Sequence, residues 1–223
     1  MHFASPASFC VHCRFHQEIC LCHHVRRVDP DLRLIVVLHI DEVRKTSNTG
    51  RLAKLVVPDC RIAVHGPTAG PRVDLSELAE THDATGRPWR TLLFYPGMGA
   101  EPLTPELAAT LRAPMDDGAR PRLRLVVPDG TWSQARRLVK RLPELSSLPR
   151  VILPVTEASV SRADIRPRTN HDNAQRVSTC EAIATAVGML GSPEAEAALL
   201  AVYDQAALRI GRQRGKFASQ AIV

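Results

Sequence analysis

A chain of 223 residues with 44% hydrophobic content can bury one substantial core, so one main domain with at most a small appendage is expected. Its formal charge of +6 and pI near 9.3 suit an anionic partner, although the basic residues are mostly Arg, with four Lys, a bias that a GC-rich genome also produces. No stretch approaches the roughly 18 apolar residues of a membrane span, and no N-terminal segment joins a basic start to a secretory apolar run, which leaves a cytoplasmic protein as the expectation.

The chain opens on Cys10-x-x-Cys13 and, six residues later, Cys20-x-Cys22. Where thiols stay reduced, clustered cysteines point to a metal before disulfides. Four thiolates so close together can close a tetrahedral zinc site and leave no open position for water or substrate, so the zinc is predicted to be structural. His2, His12, His16, His23 and His24 crowd the same region, which leaves open a histidine in place of one cysteine. A redox role is the rival reading, weakened by the lack of a βαβ pattern around Cys10-x-x-Cys13. Cys60 and Cys180 stand apart and read as small buried hydrophobes.

From Leu32 to Ile40 an almost unbroken apolar run reads as a central strand covered on both faces. Leu52, Leu55 and Val56 recur at helical spacing, so a helix is predicted from Gly50 with Asn48 or Thr49 as its cap. Lys45 and Arg51 beside that helix start suit an anion; capping alone also explains Asn48 and Thr49. Further strands are predicted at Arg61–His65, Thr91–Tyr95 and Val151–Val155, and a helix begins at Thr104-Pro105-Glu106. Residues 67–89, rich in Gly, Pro and charge, read as a peripheral excursion. This alternation of strands and helices predicts an α/β fold with a mostly parallel sheet. Gly97-Met98-Gly99 lacks the third glycine and the acidic partner of a dinucleotide fingerprint.

Residues 122–134 are the most informative stretch. Leu125–Val127 reads as a buried strand stopped by Pro128, and a helix pattern follows at once, with Asp129, Gly130, Thr131 and Trp132 in the turn. Such turns are where open α/β sheets hold ligands. Thr131 and Gln134 also have the spacing of a capping box, and Trp132 reads equally well as core beside Ala135, Leu138, Val139 and Leu142. Arg136, Arg137, Lys140 and Arg141 form the opposite stripe, either a solvated face or a phosphate track. Residues 156–177 make a long polar connection containing Arg166 and Arg168. It ends at Ser178, which with Glu181 repeats the capping-box spacing ahead of an apolar helix through Leu190; a last helix, capped by Ser192 and Pro193, runs to about Arg209 and leaves a basic tail.

Four of these stretches together resemble one family. Asp129-Gly130-Thr131-Trp132 is similar to the Asp-x-Thr-Trp signature of the DTW-domain family, the tRNA-uridine aminocarboxypropyltransferases. The cysteine cluster, the His39-x-x-Glu42 and Asn48-Thr49-Gly50 segment, and Ser178-Thr179-Cys180-Glu181-Ala182 match in the family's order. Ile40-Asp41 departs from the pattern, which has a proline after the histidine.

The resemblance implies a zinc module over residues 1–28, with Cys10, Cys13, Cys20 and Cys22 as ligands, and a SPOUT-like catalytic domain over 29–223 whose chain passes through a trefoil knot. It implies transfer of the 3-amino-3-carboxypropyl group of S-adenosylmethionine to N3 of a tRNA uridine. Asp129 would assist loss of the N3 proton or orient the N–H, and Trp132 would stack or brace. Asn48, Thr49, Tyr95, Pro96, Thr131, Ser178, Thr179 and Glu181 would hold the co-substrate, and Arg136, Arg137, Lys140, Arg166 and Arg168 the RNA. The rival functions are an RNA methyltransferase of the same fold and a non-catalytic zinc-containing RNA-binding protein.

Overall fold

The computed structural model describes residues 9–45, 47–66, 73–154 and 177–213. In chain order it forms β1 (Leu32–His39), a 3-10 turn at Gly50–Leu52 leading into α1 (Ala53–Val56), β2 (Cys60–His65), β3 (Trp89–Phe94), β4 (Ala100–Pro102), α2 (Pro105–Arg112), β5 (Arg122–Asp129), α3 (Trp132–Arg141), α4 (Pro143–Ser146), β6 (Arg150–Ile152), α5 (Thr179–Met189) and α6 (Pro193–Gln213).

The six strands make one sheet in the order β2-β1-β5-β3-β6-β4, and every pairing is parallel. β1 and β5 lie near the middle and are buried along almost their whole length, as expected of strands covered on both faces. Leu34, Val36, Leu123, Leu125 and Val127 point into a large core shared with α1, α2, α5 and α6. Ile35, Val37, Leu93 and Val126 point to the other side, against Leu138, Val139, Leu142 and Leu145 of α3 and α4. The result is a three-layered α/β fold, the class predicted from the alternation of elements.

Several elements depart from the sequence reading. β1 stops at His39, and Ile40–Glu42 turns as a 3-10 segment because the His39 ring accepts the Asp41 N–H at 3.3 Å. The helix expected from Gly50 is a 3-10 turn and a single α turn. β6 is only three residues long, β4 and α4 are additional, and α6 runs past Arg209. Residues 73–89 are not peripheral. Leu75 is buried in the α3-side core, and Glu77 pairs with both Arg33 and Arg61. Arg33, Arg122 and Arg124 gather over the Trp89 ring, Arg124 at 4.3 Å. Alternation places these arginines on the α3-side face at the N-terminal end of the sheet, where Glu77, Glu80 and Asp83 of the 73–89 segment join Asp31 and Asp59 in supplying the carboxylates they need.

Residues 9–28 fold onto the same body. Phe15 and Leu21 are fully buried and belong to the large core, and the buried Arg209 of α6 donates from Nε to the Ile19 carbonyl at 2.8 Å. Among the described residues no helix is long and apolar enough to cross a membrane.

Candidate functional site

In a parallel sheet all the strand ends of one sense collect on one edge. Here the connection from β1 leaves towards β2, and the connection from its neighbour β5 leaves towards β6, on the opposite side. Adjacent strands whose chains part in this way open a crevice at their C-terminal ends. Asp129 is the last residue of β5 and sits beside Leu38 of β1, at that crevice.

Two distant stretches of sequence meet on its carboxylate. Asn48 Nδ2 donates to Asp129 Oδ2 and Thr179 Oγ1 donates to Asp129 Oδ1, each at 2.6 Å. The other end of the Asn48 amide accepts the Arg51 N–H at 3.3 Å, which fixes its orientation. Next to this node the Cys180 N–H donates to Thr49 Oγ1, also at 3.3 Å. The start of α5 is thereby tied to the turn after β1 and to the end of β5. Asp129 is 1% exposed. Gly50 is what lets the turn come so close: a Cβ there would stand 2.9 Å from the Asp129 carboxyl carbon and nearer still to Oδ2.

Both capping boxes read from the sequence are formed. Thr131 Oγ1 accepts the Gln134 N–H at 3.4 Å while Gln134 Oε1 accepts the Thr131 N–H at 2.7 Å. Ser178 Oγ accepts from Glu181 at 3.2 Å, and Glu181 Oε2 accepts the Ser178 N–H at 2.8 Å. Thr131, Ser178 and Glu181 therefore fix the directions in which α3 and α5 leave the crevice.

Trp132 is 58% exposed, not buried with Ala135, Leu138 and Val139 as its spacing suggested. α3 starts three residues after the end of β5, and its first turn buries Gln134 and Ala135 but leaves the Trp132 side chain outside that packing. The indole instead faces Tyr95 across a ring separation of 6.4 Å. Burial raises the Tyr95 phenol above its usual range.

Two cavities flank α3. One of about 440 Å³ is lined by Tyr95, Pro96 and Gly97 together with Arg136, Lys140 and Arg150. The other, of about 210 Å³, has Arg137 and Arg141 on its α3 wall. The basic stripe is solvent-exposed, as expected, and its cations divide between the two.

At the N-terminus the sulfurs of Cys10, Cys13, Cys20 and Cys22 all lie within 4.8 Å of one another. Cys10 and Cys22 are 3.7 Å apart, as are Cys13 and Cys20. Disulfide sulfurs stand about 2.05 Å apart, so these are free thiols. Four sulfurs about 2.3 Å from a central zinc would be about 3.8 Å apart, so the cluster is close to the dimensions of a four-cysteine zinc site. Burial pushes the Cys10 thiol up, but the backbone N–H groups of Cys13 and His12 outweigh it and leave it at about 6. Burial and then the neighbouring Cys10 push Cys20 and Cys22 upward. Packed thiolates oppose each other's ionisation, and a divalent cation at their centre removes that opposition.

A family model described as the DTW domain matches residues 7–210. The chain belongs to the DTW-domain family. That family, the tRNA aminocarboxypropyltransferases, points to a tRNA-modifying function. No solved structure matches the chain.

Within this DTW domain the predicted residues fall into three groups. Asn48, Thr49, Asp129 and Thr179 share the node, with Thr131, Ser178 and Glu181 setting the helices around it. Tyr95 and Pro96 line the larger cavity with Arg136 and Lys140, and Arg137 faces the smaller one. Arg166 and Arg168 lie outside the described residues. Glu42 is buried and accepts from Lys45 Nζ at 2.7 Å, so the His-x-x-Glu segment closes on itself. Cys60 and Cys180 are buried as expected; burial raises the Cys60 thiol to about 12.

The sequence reading missed Gly50 as a packing requirement, Arg150 at the larger cavity and His65 at the smaller one. His65 carried a usable signal, since it ends an apolar strand just as His39 does. Gly50→Ala is expected to destabilise this DTW domain by about 1–3 kcal/mol, because the added methyl group must displace the Asp129 carboxylate. A urea titration followed by circular dichroism measures this; an unchanged midpoint would show that the turn yields freely.

Proposed function

We propose that this protein transfers the 3-amino-3-carboxypropyl group of S-adenosylmethionine to N3 of an unpaired uridine in tRNA, with methylthioadenosine as the by-product. The observation that carries the reading is the convergence of Asn48, Asp129 and Thr179, from three separate family motifs, into one buried hydrogen-bonded node. That node stands at the C-terminal edge of the sheet, beside an exposed indole and a cationic helix face.

The co-substrate supplies a carbon bonded to a sulfonium, with a neutral thioether as leaving group. Uridine N3 attacks that carbon, the carbon–sulfur bond breaks with its electron pair going to sulfur, and the N3 proton passes to water. No general acid is needed, so the protein's main contribution is alignment. Asp129, expected to assist loss of the N3 proton or to orient the N–H, has both carboxylate oxygens occupied by Asn48 and Thr179 and lines neither cavity. We assign it as a positioning residue, which holds the turn after β1 and the start of α5 in register. Exposed Trp132 offers a stacking face to the unpaired base. Tyr95 and Pro96, with the backbone around Asn48 and Thr179, would hold the co-substrate, and Arg136, Arg137 and Lys140 would meet RNA phosphates.

The SPOUT-like assignment and its knot belong to the same proposal. They are supported by the parallel sheet and by the position of α5, the next described helix after β6, against the central turns. The cysteine cluster would hold zinc as a structural element, and the reading implies a cytoplasmic location with tRNA as the partner.

The test uses full-length protein, unmodified tRNA and S-adenosylmethionine labelled in either the methyl or the carboxyl carbon. Carboxyl label in the RNA is the expected result. Methyl label would identify a methyltransferase, and no label with retained RNA binding would identify a non-catalytic binder.

A further inference from the structure

The smaller cavity has no role in the chemistry above, yet its walls are specific. His39 ends β1 and His65 ends β2, and the two are register partners across the β1–β2 pair. Partners in register project to the same face of a sheet, and Val37 and Ala63, two residues earlier, pack on the α3 side. Both imidazoles therefore meet Arg137 and Arg141, which stand one turn apart on α3, around a space of about 210 Å³.

Among the described residues the remaining charged group that lines the cavity is Asp41. Its Oδ2 accepts from Gln134 Nε2 at 3.3 Å and lies 3.4 Å from His39 Nδ1. Two guanidinium groups thus outweigh one carboxylate already engaged by the protein. His39 Nδ1 accepts the Asp41 N–H, which assigns the proton of the neutral ring to Nε2 and makes that atom a donor. The set is donor-rich and net positive. It disfavours a metal ion, and among the described residues the metal-holding group is the four thiols at the N-terminus. The volume is below the roughly 300 Å³ at which small-molecule pockets begin, but sufficient for a single oxyanion. The cavity also adjoins the central turn, since a Cβ on Gly130 would stand 3.5 Å from His39 Cβ.

We propose that this cavity is a phosphodiester subsite, in which His39, His65, Arg137 and Arg141 grip one RNA backbone phosphate adjacent to the nucleotide under modification. The inference rests on the tRNA reading above and adds which phosphate is held and by what. The held phosphate keeps the nucleotide at the Asp129–Trp132 turn, so the subsite sets which uridine is presented.

The experiment measures binding of the full-length protein to a tRNA stem-loop in which the phosphates flanking the target uridine are replaced one at a time by neutral methylphosphonates. For the unaltered protein, one replacement is expected to weaken binding about ten- to a hundredfold, the range for a hydrogen-bonded charged group. For the R137Q/R141Q variant that replacement should have little effect, and the salt slope should fall by about one for each phosphate that the variant no longer holds. A His65→Gln variant, which leaves the charge of α3 intact, should lose part of the same sensitivity. Equal sensitivity in the unaltered and variant proteins would overturn the subsite while leaving the transferase reading standing. Absence of stem-loop binding by the unaltered protein would overturn both. Inorganic phosphate that shifts the His39 and His65 imidazole resonances, with no effect of any neutral linkage, would show a free-anion site and overturn the RNA assignment.

Discussion

Asp129→Ala is expected to reduce carboxyl-label transfer about a hundredfold, the cost of an ångström-scale misplacement of reacting groups. The substitution strands two donors, Asn48 Nδ2 and Thr179 Oγ1, that the carboxylate now satisfies at 2.6 Å. Each buried donor left without its acceptor costs about 1–3 kcal/mol, so stability falls as well. Asp129→Asn separates positioning from proton transfer. An amide keeps an acceptor for Asn48 and offers a donor to Thr179, whose hydroxyl can turn to accept. Within this hydrogen-bonded node Asn should therefore restore most of the activity lost in Ala, whereas a true base would be abolished equally by either change. Asn48→Ala and Thr179→Ala should each reproduce part of the loss, and the doubles with Asp129→Ala should be less than additive because the three act as one unit. Fully additive losses, or an inactive Asn variant with unchanged KM, would return Asp129 to the role of base.

Removal of the proposed zinc is expected to destabilise the whole protein, not merely its N-terminal segment. Phe15 and Leu21 lie between the cysteines in the chain and are buried in the large core, and burial of each such side chain contributes about 1.5–3 kcal/mol. Without the proposed zinc the cluster would have no cross-link and those side chains would lose that anchor. A loss of about 4 kcal/mol would lower the melting temperature by about 8–16 °C in a domain of this size. Calorimetry with and without a strong chelator, alongside metal analysis, tests this, and Cys13→Ser should mimic chelation. An unchanged transition after complete metal removal would mean that the core holds the segment unaided. The link also reaches the candidate site, because the Arg51 guanidinium stacks 5.6 Å from the Phe15 ring and its backbone N–H donates to Asn48.

The sequence by itself determined the elements whose physics is local. The apolar runs of β1 and β5 could be satisfied only by burial on both faces. Thr131 with Gln134 and Ser178 with Glu181 form capping boxes from residues three apart, and both boxes are present. Cys10 to Cys22 is a short enough span for its spacing to announce the four-cysteine cluster.

Tertiary structure alone decided what depends on residues far apart in the chain. Asp129 meets partners 81 and 50 residues away, and no local pattern says which side chains will take its two oxygens. Gly50 matters because a carboxylate from another strand arrives on top of it. Trp132 had the spacing of a core residue, yet the packing of the first turn of α3 buries Gln134 and Ala135 and leaves the indole exposed beside Tyr95. His39 and His65 became neighbours through strand register, which is set by the packing of entire strands and not by the residues at their ends.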